Sequence, residues 1–166
     1  MKTLRIAGTI SESIVDGPGI RYVVFTQGCP HHCEGCHNPQ THDFNGGEEI
    51  DPEVLFQEFR SNPLMSGMTF SGGEPFCQPA PLTELARAVH AMGKTVMAYS
   101  GYTFERLRDS EDPDQRALLE QCDILVDGPF VLSLRDTLLR FRGSSNQRLI
   151  DVPKSLTAGE AVLWGE

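Results

Sequence analysis

Three cysteines in one short segment are the residues of this chain best suited to chemistry. Cys29, Cys33 and Cys36 follow an apolar run with Cys-x3-Cys-x2-Cys spacing. A four-iron cluster takes four thiolates, so a loop that supplies three leaves one iron open to a small molecule. A zinc knuckle is the alternative, with a fourth ligand from His31, His32, His37, His42, Cys77 or Cys122. The cysteines alone leave a cluster, a zinc site and free thiols open.

A second segment suited to binding is Gly72-Gly73-Glu74, which ends another apolar run. Two glycines let backbone amides and carbonyls approach a ligand that any Cβ would block. Glu74 offers a carboxylate to an ammonium group. The segment alone also fits a tight turn, so its meaning depends on its pairing with the cysteine loop.

The elements that position these segments are predicted strands and helices in alternation. Apolar runs without polar alternation occur at residues 20–26, 68–70, 95–99 and 124–126, as is typical of parallel strands buried on both faces. Helices are predicted at residues 52–61, 80–92 and 113–121. This alternation predicts an α/β fold with right-handed crossovers, either an open doubly wound sheet or part of a β/α barrel.

Short polar or glycine-containing segments follow each predicted strand. They are residues 28–29, 71–74, 100–102 and 127–129. In parallel α/β folds, ligands bind at the carboxyl ends of the strands. We therefore expect the four segments to meet at one rim.

Composition limits the classes of protein to which the chain can belong. Its 166 residues, without repeats or a long linker, predict a single domain spanning residues 1–166. The apolar runs are too short to span a bilayer and no signal-peptide stretch is seen, so a cytoplasmic protein without membrane contact is expected. In a reducing compartment, five cysteines favour metal binding over disulfides. A net charge of -9 argues against nucleic acid as a partner.

Two further cysteines and a late arginine-rich segment have other interpretations. Cys77 and Cys122 are each expected to be small buried thiols without a chemical role. Four arginines lie within residues 135–148 of this acidic chain. The segment is either a polar turn or a docking element in which Arg142 and Arg148 pair with carboxylates of a partner.

Taken together, the cysteine loop and the later Gly-Gly-Glu segment resemble the radical S-adenosylmethionine superfamily, where both motifs occur in this order. Residues 16–21 resemble the entry motif of its glycyl-radical activating enzymes. Residues 100–103, 123–130 and 142–148 resemble the branch that activates anaerobic, class III ribonucleotide reductases. The resemblance runs nearly end to end, and the short length of the chain agrees with it.

The resemblance implies a fold and a cofactor. The fold would be a partial, incomplete β/α TIM-type barrel of parallel strands that forms a radical S-adenosylmethionine core. Cys29, Cys33 and Cys36 would hold a [4Fe-4S] cluster, with S-adenosyl-L-methionine on the open iron.

The cofactor-contacting residues that the resemblance implies fall into two groups. The methionine end would lie against Gly72, Gly73 and Glu74. The nucleoside would lie against backbone groups of Gly35, Cys36 and His37. Gly35 departs from the superfamily, where an aromatic residue often precedes the third cysteine, although the reductase-activating branch also has glycine there.

The activity implied by the resemblance is reductive cleavage of S-adenosylmethionine to a 5′-deoxyadenosyl radical. The radical would take hydrogen from a glycine of a large partner subunit, an anaerobic ribonucleoside-triphosphate reductase, with a flavodoxin-type protein as electron donor. No side chain is expected to be catalytic, because the cluster and the cofactor carry the chemistry. The open alternatives are activation of another glycyl-radical enzyme, radical chemistry on a small molecule, and a non-catalytic zinc or electron-transfer module.

Overall fold

The fold is a mixed α/β arrangement built on one sheet. The computed structural model describes residues 3–165, and within them the sheet has seven strands. The strands are β1 (Leu4–Ser13), β2 (Arg21–Thr26), β3 (Glu48–Ile50), β4 (Gly67–Gly72), β5 (Thr95–Tyr99), β6 (Ile124–Asp127) and β7 (Arg148–Asp151). The helices are α1 (Pro52–Arg60), α2 (Pro79–Ala91), α3 (Phe104–Arg108), α4 (Pro113–Gln121) and α5 (Val152–Ala158). Short 3₁₀ turns occur at Pro39–Thr41, Pro75–Cys77 and Leu132–Leu134.

The strand order of the sheet is β3-β1-β2-β4-β5-β6-β7. The four predicted strands β2, β4, β5 and β6 are parallel neighbours, which confirms the parallel centre. Strands β1, β3 and β7, which were not predicted, pair antiparallel at the two sides of this parallel centre. Much of β1 is exposed, with only Leu4, Ile6 and Ser13 buried. It therefore lacks the continuous apolar run that identifies a strand buried on both faces.

The three predicted helices are confirmed to within one residue at either end. Helix α1 begins at Pro52, and the side chain of Asp51 accepts a hydrogen bond from the Glu53 amide. Helix α4 begins in the same way, with Asp112 as its cap. The short helices α3 and α5 were not predicted, because five and seven residues give too little periodicity. Within residues 3–165, no helix has the length and apolar character needed to cross a membrane.

The two faces of the sheet pack against different groups of residues. Along β5, Val96 and Ala98 join the main core, to which the helices contribute, whereas Met97 joins a smaller cluster on the opposite face. Because side chains alternate along a strand, Tyr99 points to the same side as Met97. Tyr99 packs against the smaller cluster and also lines a cavity. The helices thus cover one face and leave the other for the site.

Candidate functional site

A cavity of about 610 Å³ lies where the parallel strands end. Its lining includes the cysteine loop after β2, the glycines at the end of β4, and the segments after β5 and β6. From these it takes Cys29, Cys33, Cys36, Gly72, Gly73, Ser100, Gly101 and Gly128. The predicted meeting of four segments at one rim is confirmed.

The cysteine loop is closed by backbone hydrogen bonds that return it to its own start. The amide of Gly28 donates to Thr41 O at 2.7 Å and that of Cys29 to His42 O at 3.2 Å. The amide of Asn38 donates to Cys36 Sγ at 3.5 Å. Among residues 3–165, no three His, Cys, Asp or Glu side chains are grouped closely enough to hold a single metal ion.

Cys29 is buried, while Cys33 and Cys36 are partly exposed. Burial raises the pKa of the Cys29 thiol, and the nearby negative charge of Glu74 adds to the effect. A thiolate at this position therefore requires a compensating positive charge. A bound metal centre supplies such a charge, because coordination deprotonates a thiol.

The cysteine loop and the Gly-Gly-Glu segment contact each other through the backbone. The amide of Gly73 donates to Thr26 O and that of Glu74 to Gly28 O, both at 2.8 Å. A Cβ on Gly73 would lie 2.4 Å from Gly28 O, and one on Gly72, whose φ is +91°, would lie 2.6 Å from Thr26 N. Only glycine fits at these two positions, and this approach forms one wall of the cavity.

Glu74 is fully buried, and its carboxylate does not line the cavity. It accepts hydrogen bonds from His31 Nε2 at 2.6 Å, from the Gly101 amide at 2.8 Å and from Ser100 Oγ at 3.0 Å. The Phe76 amide donates to its second oxygen at 3.0 Å. The carboxylate thus joins the cysteine loop, its own turn and the segment after β5.

His31 is a residue of this site that the sequence marked only as a possible zinc ligand. Its ring packs edge-on against Tyr102 with centroids 4.6 Å apart. A Cβ on Gly101 would lie 2.4 Å from the ring, so the loop after β5 closes over it. With Nε2 bound to Glu74, His31 serves to hold two loops together.

Gly35 and His37 contact the segment that follows β6. The φ of Gly35 is +75°, and a Cβ there would lie 2.8 Å from a methyl carbon of Leu132. This contact gives a physical reason for glycine before the third cysteine. The ring of His37 lies 5.0 Å from that of Phe130 and lines the cavity, whereas Gly35 does not.

The late polar segment, residues 142–148, forms part of the cavity wall. Gln147 Oε1 accepts from the Gly143 amide at 2.8 Å, and its Nε2 donates to Gly128 O at 3.1 Å. Asn146 Nδ2 donates to Pro129 O at 2.8 Å. These side-chain amides fix the segment to the loop after β6, which accounts for the Asn and Gln in the motif.

Arg148 is engaged within the chain. Its guanidinium lies 2.5 Å from both Asp127 Oδ2, which is buried, and Glu105 Oε1. These hydrogen bonds raise the pKa of Arg148 and lower that of Glu105. Arg148 therefore has internal partners, and any docking role of this segment falls to Arg142, which lines the cavity.

Arg21 packs behind residues that line the cavity, and this role was not predicted from the sequence. It is fully buried, and its guanidinium donates five hydrogen bonds to oxygens of Pro18, Met68, Thr69 and Thr95. Burial lowers the pKa of Arg21 to about 10, so it stays protonated at neutral pH. A Cβ on Gly17, which lines the cavity, would lie 2.6 Å from its side chain. The sequence pattern that could have identified Arg21 is an arginine at the start of an apolar strand, shortly after Gly-Pro-Gly.

The two remaining cysteines differ in exposure. Cys122 is buried, as expected, and burial raises the pKa of its thiol. Cys77 is exposed, so the expectation of a buried thiol was wrong. It lies at the end of the 3₁₀ turn Pro75–Cys77, in which Pro75 and Phe76 take the buried positions. Desolvation and the charge of Glu74 raise the pKa of Cys77 to about 11, which keeps it a thiol.

A family model described as a 4Fe-4S single cluster domain matches residues 15–150 of the chain. The anaerobic ribonucleoside-triphosphate reductase-activating protein of Vibrio cholerae is 34% identical over 143 residues, which cover 81% of this chain and 89% of that protein. The chain belongs to the anaerobic ribonucleoside-triphosphate reductase-activating protein family. The family predicted from the sequence, its enzyme class and its 4Fe-4S cofactor are thereby confirmed.

The chain is also similar to two proteins with other names. The pyruvate formate-lyase-activating enzyme of Clostridium pasteurianum is 41% identical over 106 residues, covering 60% of this chain and 44% of that enzyme. Among solved structures, QueE from Escherichia coli matches 61% of this chain and 54% of its own, with a TM-score of 0.46 and 18% identity.

The residues present fit a 4Fe-4S cluster. Three thiols line one cavity, a backbone amide donates to Cys36 Sγ, and the adjacent Gly72 and Gly73 place no side chain in the cavity. Hydrogen bonds to cysteine sulfur of this kind are usual around iron–sulfur clusters. The donor set is therefore appropriate for the cofactor of the activating-protein family.

Proposed function

We propose that this protein activates an anaerobic ribonucleoside-triphosphate reductase by removing a hydrogen atom from a glycine Cα of that enzyme. The observation that carries the proposal is the match to reductase-activating proteins over 89% of the Vibrio cholerae relative. The cavity that joins the cysteine loop to the Gly-Gly wall supports it.

In this proposal Cys29, Cys33 and Cys36 hold the cluster, and S-adenosylmethionine binds at the open iron. When bound, the two groups supply a one-electron reduction that breaks a carbon–sulfur bond and yields the radical that abstracts hydrogen. The residues of the chain bind these two groups, orient them and shield them from solvent. Such positioning is the main contribution that a protein makes to cofactor chemistry.

The cofactor contacts are assigned to the cysteine loop and the Gly-Gly-Glu segment, which are adjacent in the cavity wall. Backbone groups of Gly72 and Gly73 would receive the methionine end, and those of Cys36 and His37 would lie beside the nucleoside. Gly35, which does not line the cavity, would contribute through the turn that it forms against Leu132. Glu74 contributes by holding the surrounding loops in place. A direct contact with the cofactor would take its carboxylate away from protein donors. For His37, the assignment to the nucleoside is supported by its position in the cavity lining.

The mouth of the cavity supports a protein substrate. Ile14 and Val15 line the cavity with 75% and 70% of their surfaces exposed. Leu138, between two lining residues, is 94% exposed. Exposed apolar side chains grouped at a site entrance are typical of protein-binding surfaces. A glycine-bearing loop of the reductase is the proposed occupant.

Several features of the wider setting are part of the same proposal. The whole chain, residues 1–166, would form one radical S-adenosylmethionine domain, and its sheet would be an incomplete β/α barrel. A flavodoxin-type protein would donate the electron, and the enzyme would act in the cytoplasm. The family match over residues 15–150 and the parallel centre of the sheet support the first two statements.

A second candidate substrate is a pyruvate formate-lyase, because one of its activating enzymes is 41% identical over 106 residues. The test mixes the reconstituted, reduced protein and S-adenosylmethionine with each partner separately under anaerobic conditions. A glycyl-radical signal by electron paramagnetic resonance with the reductase alone supports the first proposal. A signal with the lyase alone transfers the assignment to the second candidate, and no signal with either refutes both.

A further inference from the structure

One side of strand β1 is open over most of its length. In the sheet order β3-β1-β2, strand β3 pairs with β1 only as far as Ile6. Strand β1 continues to Ser13, and no further strand of residues 3–165 lies on that side. Apart from the ladder with β2, the backbone of residues 7–12 makes no hydrogen bond within the described part of the chain. Residues 7–12 therefore form an open strand edge, which we call the β1 edge.

The opposite side of the sheet is covered. Next to β7, the amide of Asp151 donates to Val162 O at 2.9 Å, and that of Trp164 donates to Leu149 O at 2.8 Å. Such cover is usual, because unpaired backbone groups on a strand edge pair readily with another chain. Proline and lysine, which commonly block an open edge, do not occur in residues 7–12. The β1 edge thus lacks both forms of protection among the residues described.

The β1 edge leads directly to the mouth of the cavity. Ile14 and Val15, which follow the strand, line the cavity with 75% and 70% of their surfaces exposed. The turn that carries them is held by a hydrogen bond from Ser13 Oγ to Asp16 Oδ2 at 2.6 Å. A protein segment that enters the cavity past Ile14 and Val15 therefore has a strand edge beside it.

Ile10 provides an apolar contact on the cavity side of the β1 edge. Thr9 pairs with Val24, which belongs to the main core, so Ile10 and its partner Val23 face the opposite side of the sheet. Ile10 is 43% exposed, and a side chain on an added strand would cover it, since cross-strand neighbours on one face pack together. A Cβ on Gly8 would meet nothing within 4 Å, so the space beside the strand is open.

We propose that an extended segment of the reductase, adjacent to its glycine, adds to the β1 edge as a further strand of the sheet. The inference rests on the proposed function and names the surface that its protein substrate uses. In strand addition, main-chain hydrogen bonds supply affinity, and side-chain contacts such as that with Ile10 supply selectivity.

The length of the β1 edge favours the reductase over a second copy of this chain. Bulges on both sides leave only Gly8–Ile10 in regular pairing with β2. A short strand pair is weak by itself, so the edge holds a partner best when the same partner is also bound nearby. A reductase segment meets this condition by entering the cavity.

The first test measures hydrogen exchange of the reconstituted wild-type protein under anaerobic conditions, alone and with the reductase. We expect the amides of residues 7–12 to exchange several-fold more slowly in the complex, because those that face outwards gain hydrogen bonds. Slower exchange limited to residues 14–15 would place the partner at the mouth alone and overturn the inference. Slower exchange of residues 7–12 that appears without the reductase and grows with protein concentration would identify a second copy as the occupant and also overturn it.

The second test measures the Kd of variants for the reductase, after their iron and sulfide contents have been checked. Ile10→Lys places a charge on the edge, which hinders strand addition, so we expect its Kd to rise about tenfold. Ile10→Val keeps a β-branched apolar side chain and should bind like the wild type. Leu156→Lys is the matched control, because Leu156 is 36% exposed and lies on α5, which follows β7 at the other side of the sheet.

Equal Kd values for I10K and the wild type, or equal rises in I10K and L156K, would overturn the inference. If I10K does not fold, the exchange measurement on the wild type decides. Failure of the proposed function is recognised separately. A wild type that neither binds the reductase nor gives it a glycyl radical contradicts that function and the partner named here, whereas radical formation without slower exchange in residues 7–12 contradicts the inference alone.

Discussion

The backbone amide of Glu74 donates a hydrogen bond to the carbonyl oxygen of Gly28, at 2.8 Å. This bond joins the residue before the first cysteine to the last residue of the Gly-Gly-Glu segment. The two motifs, far apart in the sequence, are therefore adjacent parts of one wall. Their contact requires the absence of a side chain at Gly73.

Replacing Gly73 by alanine is expected to disrupt this contact. The new Cβ would lie 2.4 Å from Gly28 O, and backbone cannot move aside as a flexible side chain would. We expect a loss of about 1–3 kcal/mol in the free energy of unfolding, and a larger fractional loss of S-adenosylmethionine cleavage. Urea unfolding of the metal-free protein and the cleavage rate measure the two effects. Gly8→Ala is the control, because nothing lies within 4 Å of a Cβ there.

Replacing Glu74 by glutamine tests whether its carboxylate acts through the protein. The amide group would turn an N–H toward backbone or hydroxyl donors that now bind an oxygen, leaving at least one unpaired. We expect the metal-free variant to lose about 2–3 kcal/mol of unfolding free energy. Glu49→Gln, at an exposed pair with Arg5, should change it little. An E74Q protein as stable as the wild type would instead favour a direct contact of Glu74 with the cofactor.

The position of the site followed from the sequence because parallel strands bring their carboxyl ends to one edge. Apolar runs identified β2, β4, β5 and β6, and this placed Cys29 beside Gly73 without any knowledge of contacts. The exposed strand β1 could not be found in this way, since its side chains do not form a buried run. Antiparallel pairing at the sides of the sheet therefore emerged only in three dimensions.

Side-chain partners were much less predictable than positions. The spacing of Gly72 to Glu74 gave no sign that the carboxylate would bind His31 and Gly101, because these residues come from other loops. The sequence leaves Arg148 available to a partner protein, whereas in the structure it is paired with Asp127 and Glu105. Long-range polar pairing depends on the packing of several elements and has no local sequence pattern.

The Arg148 network predicts a dependence of stability on pH. The hydrogen bond from Arg148 lowers the pKa of Glu105 from its ordinary value of 4.5. A carboxyl with a lowered folded-state pKa contributes stability above its ordinary pKa and loses it as the pH falls through the folded value. Wild-type unfolding free energy should thus fall below about pH 4.5, and Arg148→Met should reduce the part of this fall that Glu105 causes.

The same variant should be destabilised at neutral pH by about 2–3 kcal/mol, because Asp127 stays buried and loses a charged partner. Glu105→Gln is the matched control. It removes the charge of the exposed partner of Arg148 and leaves Asp127 paired. The loss of unfolding free energy at neutral pH should therefore be below about 1 kcal/mol. Urea titrations of the metal-free wild type and both variants provide the comparison, at neutral pH and below the ordinary pKa of Glu105. An R148M protein as stable as the wild type would contradict the structural role.

Cysteine-to-serine variants separate the cluster ligands from the other thiols. Changing Cys29, Cys33 or Cys36 should abolish stable uptake of iron and sulfide, since each removes one of only three thiolates. Cys77→Ser and Cys122→Ser should retain uptake, although the second substitution places a hydroxyl in the core and is expected to lower stability. Iron and sulfide analysis after anaerobic reconstitution decides. Loss of iron in Cys77→Ser with the fold intact would make Cys77 a fourth ligand.

Cys29, Cys33 and Cys36 are proposed to hold a four-iron cluster with one iron open to S-adenosylmethionine. The most direct measurement reconstitutes the protein anaerobically, verifies and reduces the cluster, adds S-adenosylmethionine and measures 5′-deoxyadenosine. We predict four irons per chain and production of 5′-deoxyadenosine that is lost in each of the three cysteine variants. Stoichiometric zinc without iron, or a verified reduced cluster that leaves S-adenosylmethionine intact, would contradict this account.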